Sequence, residues 1–384
     1  MTRALIIGGG IAGPVTAMAL RRAGLDVSVH EAYPGAADHL GAFLVLFANG
    51  LAALRAIGAE AAVRASSFPA DSVEFLGPSG EPLGTHPIAG SRDPGLRPRT
   101  LQRSALYRAL HDEAARRGIA VEYGKRLVDI TTGRHGTVVA AFADGSRAEG
   151  DLLVGADGIH SVTRAVLDPH APPPRYTGYT SVCGRTRETV HPAPPRTYRM
   201  IFGRRAFFGC TTAPDGTTHW FANIRGPEQP RSAPGDRWRR HAAEALAADR
   251  SPAAAVVAAT GAEVVGMNCY DMPTTPVWHD SRTVLVGDAA HATAPHAAQG
   301  ASIAVEDGVV LARCLRDLPD PERAFAAYER LRRERVERVV AASAGLADRA
   351  RPAPGERRER DAAADPAGGD WLTGYRVEWD APVG

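Results

Sequence analysis

The chain lacks several features that would settle its class at once. Its four cysteines (Cys183, Cys210, Cys269, Cys314) are spread through 384 residues without a C-x-x-C pair. That excludes a disulfide framework and a zinc knuckle, and it points to the reducing cytoplasm. Lysine is nearly missing, Lys125 being the only one, and the 45 basic residues are offset by 43 acids. The net charge of +2 is spread evenly, with no basic stripe interleaved with aromatics, so nucleic acid is not expected as a partner. Long apolar runs are also absent, except that Ala4–Leu20 carries no charge. That stretch holds four glycines and a proline and has no basic leader before it. It therefore reads as a buried strand, a turn and the start of a helix, and no membrane partner is expected. There are no internal repeats.

What is present starts at the N-terminus, with "RALIIGGGIAGPVTAMALRRAGLDVSVHEA". Ala4–Ile7 is apolar on both faces, as a central parallel strand should be. Gly8-x-Gly10-x-x-Gly13 follows at once, Val15–Ala23 has helical apolar spacing, and Leu25–His30 is a second strand ending at Glu31. The three glycines suit a tight turn, close approach of backbone to a pyrophosphate, and close helix–strand packing. The helix N-terminus offers free N–H groups to the phosphates, and Pro14 costs nothing in its first turn. Glu31 stands where an acid accepts hydrogen bonds from an adenosine ribose. An acid there repels a 2′-phosphate, which leaves FAD or NAD as the bound nucleotide.

Two further strand–turn signals follow. "DLLVGADGIHSVTR" (Asp151–Arg164) is an apolar strand ending in Gly155-Ala156-Asp157-Gly158. "RTVLVGDAAHATAPHAAQG" (Arg282–Gly300) is a strand ending in Gly287-Asp288, followed by a helical period from Ala301 to Leu315. Asp288, His291 and His296 could in principle ligate a metal, but their spacing across Pro295 matches no known ligand pattern, and no metal is expected.

The order GxGxxG, GADG, GDAAH resembles the single-component (class A) FAD-dependent aromatic monooxygenases of the para-hydroxybenzoate hydroxylase fold. The likeness runs from about Ala4 to Ala342 and takes in Gly41, Asn49-Gly50 and Arg103 in "LQRSALYRAL"; beyond it, the closing "WLTGYRVEWD" is like the C-terminal Trp-Leu-x-Gly-Tyr segment of some family members. It implies that Gly8, Gly10, Ile11, Ala12, Gly13 and Glu31 hold the AMP half of FAD. Arg103 and Leu127 would lie along the cofactor, and Asp288 would accept from a ribityl hydroxyl. Pro295 would lie beside the flavin ring, and Gly300-Ala301 would point helix N–H groups at its N1/O2 edge. Asp157 would serve both FAD and a transiently docked NAD(P)H, and His296 would face the ring's neighbourhood. The sequence departs from the family pattern at Ala298 (where glycine is usual), at Ser302 (where Asn is common), and at Cys183-Gly184-Arg185 in place of Trp-Arg-Gly.

The middle of the chain reads as antiparallel sheet, with a hairpin over Asp71–His86, strands across Tyr176–Gly226 around a Pro-Asp-Gly turn, and another in Gly261–Met272. Phe43, Tyr179, Phe202, Phe208 and Phe221 are the expected pocket liners. Ala324–Ala350 reads as a helix whose Arg and Glu run is a solvated face. The expected fold class is α/β: a Rossmann-like FAD domain (1–70, 95–175, 275–345), an inserted discontinuous antiparallel-sheet substrate domain (71–94, 176–274), and C-terminal helices. A flexible linker (346–370) and a tail that docks on the body (371–384) would complete it.

The resemblance implies an NAD(P)H- and O2-dependent monooxygenase, a monomer or homodimer. It would hydroxylate or epoxidise an aromatic or polyketide-like small molecule through a C4a-hydroperoxyflavin, as in antibiotic biosynthesis. The alternatives are a flavoprotein oxidase or reductase on the same fold, or a non-catalytic flavin protein that sequesters a metabolite. A flavin halogenase is disfavoured because no W-x-W-x-I-P stretch occurs.

Overall fold

The computed structural model describes residues 1–35, 42–88, 94–189, 191–230, 234–349 and 370–383. Gly41 and residues 350–369, most of the expected linker, lie outside the described residues.

The apolar N-terminal strand Arg3–Ile7 lies in the middle of a five-stranded, wholly parallel sheet. Leu152–Gly155 and then Thr283–Leu285 flank it on one side, Asp26–His30 and then Ala120–Glu122 on the other. The strand pleat divides its side chains between two layers. Ala4, Ile6 and Val154 join the core formed with the helices Ala12–Arg22 and Gly300–Asp317. Leu5, Ile7 and Leu153 turn the other way. They meet Leu127, Val138, Ala140 and Phe142 from a small antiparallel sheet, Leu127–Thr132, Val138–Phe142 and Arg147–Gly150. Burial on both faces is why these strands read as unbroken apolar runs.

The second large sheet has seven strands. In spatial order they are Val264–Asp271, Arg175–Thr186, Thr218–Arg225, Ala206–Thr212, Thr197–Phe202, Ser72–Leu76 and Pro82–Pro87. The Ser72–Leu76/Pro82–Pro87 hairpin joins it through one parallel pairing, with Thr197–Phe202; the other neighbours are antiparallel. One face packs Ile201, Phe208, Trp220 and Ala222 against the helices Gly235–Leu246 and Ala253–Ala258. The other face looks towards the parallel sheet. The fold is thus of the α/β class expected from the sequence, a Rossmann-like sheet with antiparallel sheets and C-terminal helices.

The last long helix runs from Pro321 to Arg349, into the stretch expected to be linker. Most of its Arg and Glu run forms the solvated face expected, with Glu322, Arg323, Arg330, Glu334 and Arg338 exposed, but one member departs from it. Arg332 is fully buried, because two acids of the neighbouring helix, Glu306 and Asp307, sit in the same interior and need a cation. After the undescribed segment, the tail returns across the body under arginines. Arg338 lies over the Trp371 ring at 3.9 Å, Arg335 over Tyr375 at 4.4 Å, and Arg22 over Trp379 at 4.8 Å. No helix among the described residues is long and apolar enough to cross a membrane.

Candidate active site

Strands of a parallel sheet all end on the same side, and the loops that leave them converge there. Ile7 hands over to the glycine loop, His30 to Glu31, Gly155 to Ala156-Asp157, and Leu285 towards Asp288. All four turns line one cavity of 1610 Å³, closed on its far side by the seven-stranded sheet.

The glycines of the first loop divide their work. Gly8 has φ +106°, and a Cβ there would lie 2.3 Å from the Ala156 carbonyl oxygen. A Cβ on Gly13 would lie 1.9 Å from the Gly8 carbonyl oxygen, so this position lets the helix start against the turn and does not itself line the cavity. Gly10 differs, since its Cβ would meet only the Tyr107 hydroxyl, at 3.8 Å. Space is therefore left open on the cavity side. The helix that follows has no side-chain cap and no acid in its first turn, and the same holds for Gly300–Asp317. Two helix N-termini thus turn unpaired N–H groups and positive dipole ends towards the cavity.

The remaining expected cofactor residues fall around this loop. Ile11, Ala12, Glu31, Arg103, Leu127, Asp157, Asp288, Pro295, Gly300 and Ala301 all line the cavity. The Glu31 carboxylate accepts from Gly9 N at 2.6 Å and Tyr33 N at 2.9 Å, which fixes it beside the turn. Arg103 donates to the Tyr107 hydroxyl at 2.9 Å. Burial works against its charge, but the Tyr107 oxygen and the Asp288 carboxylate outweigh burial, and its pKa ends above the usual arginine value. Asp157 is more committed than expected. It accepts from Ser161 Oγ at 2.5 Å and from Thr163 N at 2.9 Å and Oγ1 at 3.0 Å, all in its own turn. Its main work is to close that turn. The buried Arg164 ties this turn to the one after Leu285 through the Ala289 carbonyl at 2.9 Å.

His291 does not join Asp288 and His296. Its Nε2 lies 2.5 Å from Asp307 Oδ2, which also accepts from Gly287 N at 2.9 Å. Burial opposes the Asp307 charge, yet His291 and Arg332 hold its pKa down at about 2. Next to it, Glu306 takes Arg332 at 2.7 Å, Arg335 at 2.8 Å and Asn49 Nδ2 at 2.6 Å. A buried ionic network thus braces the Gly287-Asp288 turn from behind. Among the described residues, no three His, Cys, Asp or Glu side chains gather as metal ligands.

Of the expected pocket liners, Phe43, Phe202 and Phe221 face the cavity and Phe208 does not. Phe208 is fully buried on the opposite face, stacked on Trp220 at 6.0 Å, because adjacent residues of a strand point to opposite sides. Phe207 takes the place expected for Phe208. Tyr179 stands one layer back, edge-on to His296 with ring centroids 5.0 Å apart, and His296 itself lines the cavity. Ala298 also lines it, with φ +51°, a left-handed conformation that alanine adopts at a cost.

Sequence reasoning passed over Tyr107, His111, Lys125 and Arg126 on the nucleotide side, and Phe207 and Asn223 on the sheet side. Only Lys125 carried a signal, as the chain's single lysine just beyond a strand.

Comparison with known proteins agrees with this geometry. Residues 1–343 match the family model described as "FAD binding domain". The chain is 34% identical over 353 residues to an aurachin C monooxygenase/isomerase of Stigmatella aurantiaca, covering 88% of this chain and 87% of that protein. It is 30% identical to a 6-hydroxynicotinate 3-monooxygenase of Pseudomonas fluorescens, covering 88% and 89%. Among solved structures it is similar to Klebsiella pneumoniae HpxO complexed with FAD and uric acid. That match has a TM-score of 0.83 and 27% identity, over 92% of this chain and 90% of the other.

Proposed function

The chain belongs to the FAD-binding-domain family of flavin-dependent monooxygenases, and from that premise we propose that it uses NAD(P)H and O2 to hydroxylate or epoxidise an aromatic small molecule. The observation that supports this most is the contrast across one cavity. Open backbone and two uncapped helix N-termini face a wall of aromatic side chains.

The residues present fit FAD. Gly10 leaves the room that a pyrophosphate needs against the first helix, and the Arg103 guanidinium, kept charged, would offset its negative charge. Glu31, already aimed by two backbone N–H groups, keeps lone pairs for ribose hydroxyls. Asp288 would accept from the ribityl chain. The Gly300–Asp317 N-terminus would hold negative charge on the electron-rich edge of the ring. FAD held there would supply the redox chemistry, electron transfer from NAD(P)H and activation of O2 for insertion of one oxygen atom into the substrate. The protein's part is to position the ligands and exclude water, and the sheet does the second by lidding the cavity with Phe202, Phe207 and Phe221.

The reading is tested with FAD-loaded protein and a panel of aromatic ligands. A ligand that binds should accelerate NAD(P)H oxidation and emerge heavier by one oxygen. Consumption indifferent to every ligand, with all O2 recovered as H2O2, would instead make the protein an oxidase.

A further inference from the structure

Charge is distributed unevenly around the cavity. Glu31, Arg103, Lys125, Arg126, Asp157 and Asp288 all come from the nucleotide-binding elements. None of the cavity residues contributed by the seven-stranded sheet is an Asp, Glu, Arg, Lys or His. A substrate carboxylate buried against that wall would meet no counter-charge, and desolvation would count fully against it.

Two carboxamides interrupt the apolar surface: Asn268, whose oxygen and nitrogen are both paired with the Gln229 backbone, and Asn223, one row away. Strand register places Met267, Ser181, Asn223, Phe207 and Phe202 side by side on the cavity face. Asn223 is only 4% exposed, and its Oδ1 has no hydrogen-bond partner among the described residues. Among the described residues, the hydroxyl of its neighbour Ser181 reaches only the Cys183 sulfur, at 3.9 Å. A buried carboxamide is normally paired, so an orphan in a cavity wall is a place where a ligand completes the bonding. A carboxamide carries an acceptor beside a donor, and the same pair, reversed, lies along the edge of a lactam.

We propose that Asn223, with Ser181 beside it, is the specificity-determining polar point of the substrate chamber, and that the chamber takes an uncharged fused-ring aromatic with a lactam-type N–H/C=O edge. The substrate class rests on the monooxygenase reading above; the binding preference does not. The aromatic row stacks the rings, and Asn223 sets which edge faces the sheet.

The test is calorimetric titration of FAD-loaded protein with 2-quinolone, N-methyl-2-quinolone and 2-quinolone-4-carboxylate. Wild type should bind 2-quinolone about 10- to 100-fold more tightly than the N-methyl compound, the range expected when one partner of a buried hydrogen bond is lost. It should prefer 2-quinolone to the carboxylate by at least as much. Asn223→Leu, of similar bulk, should erase the preference over the N-methyl compound and leave FAD affinity unchanged, and Ser181→Ala should weaken it less. Equal or tighter binding of the carboxylate would overturn the uncharged class, as would failure of all three probes to bind at millimolar concentration. A preference that survives in Asn223→Leu would overturn the role of Asn223, and loss of FAD from that variant would show that Asn223 reads the cofactor instead. Wild-type protein that discriminates as expected, yet oxidises NAD(P)H at a rate no aromatic ligand changes and returns all O2 as H2O2, would sink the monooxygenase reading and leave the binding assignment standing.

Discussion

One wall of the cavity is made of backbone, helix N-termini and paired charges; the other is made of rings, sulfur and a few uncharged polar groups, Asn223, Asn268 and Ser181 among them. The nucleotide wall is stiffened from behind by Glu306, Asp307, Arg332 and Arg335, so its polar groups are fixed before any ligand arrives. Behind the aromatic wall lies a hydrophobic core, with Phe208, Trp220 and Trp238. The difference reflects what each wall must do. A phosphate-rich cofactor is read by fixed dipoles, whereas a planar substrate is read by contact area and one or two directional bonds.

The contrast can be broken first behind the nucleotide wall. Arg332→Met removes the one fully buried cation shared by Glu306 and Asp307, leaving Arg335 and His291 to hold two buried acids, and should cost about 3–5 kcal/mol, read by denaturant unfolding. An equal or higher stability would mean that the network is dispensable. Behind the other wall, Phe208→Ala should cost about 3–5 kcal/mol by opening a hole in the core. Phe207→Ala, one residue away, should leave stability nearly unchanged and weaken aromatic ligand binding. If the two swap behaviour, the strand faces are assigned the wrong way round.

A pH profile probes the aromatic side next. His219 is buried between Phe43 and Phe68, and burial first, then Arg185, lowers its pKa from 6.5 to about 4. Because the folded value is the lower one, the unfolded chain takes up the proton first as pH falls. The associated stability is present above pH 6.5 and is lost between 6.5 and 4, on the order of 3 kcal/mol. His219→Gln should flatten that part of the melting-temperature profile.

Smaller effects belong to the cofactor contacts themselves. Asp288→Ala and Gly10→Val should each fold normally and lose roughly 10- to 100-fold in FAD affinity, measured by equilibrium titration of apoprotein. Gly10 tolerates the change structurally because its Cβ direction is open, unlike those of Gly8 and Gly13. The smallest change is Ala298→Gly, which relieves a left-handed alanine and should stabilise the protein by about 0.5–1 kcal/mol in thermal unfolding.

How far each wall could be read from sequence follows the same division. Gly8, Gly10 and Gly13 after an apolar strand report a backbone requirement, and backbone requirements are local. Which of Phe207 and Phe208 faces the cavity depends on the pleat, and the pleat is set by strand register against Phe202 and Asn223, residues the local pattern cannot rank. The buried Arg332 was hidden for a related reason. Its run of Arg and Glu resembles a solvated helix face until Glu306 and Asp307 are recognised as two acids inside the otherwise apolar period "ASIAVEDGVVLARCL". Two acids in a buried helix require cations, and that was the available signal.

The most direct test of the central claim is the fate of labelled oxygen. FAD-loaded protein, NAD(P)H and the tightest-binding uncharged aromatic of the panel are incubated under ¹⁸O2, and the product is weighed by mass spectrometry. One ¹⁸O atom per product molecule, formed as NAD(P)H is consumed, is the predicted result. Unlabelled ligand with all the label in peroxide would contradict it.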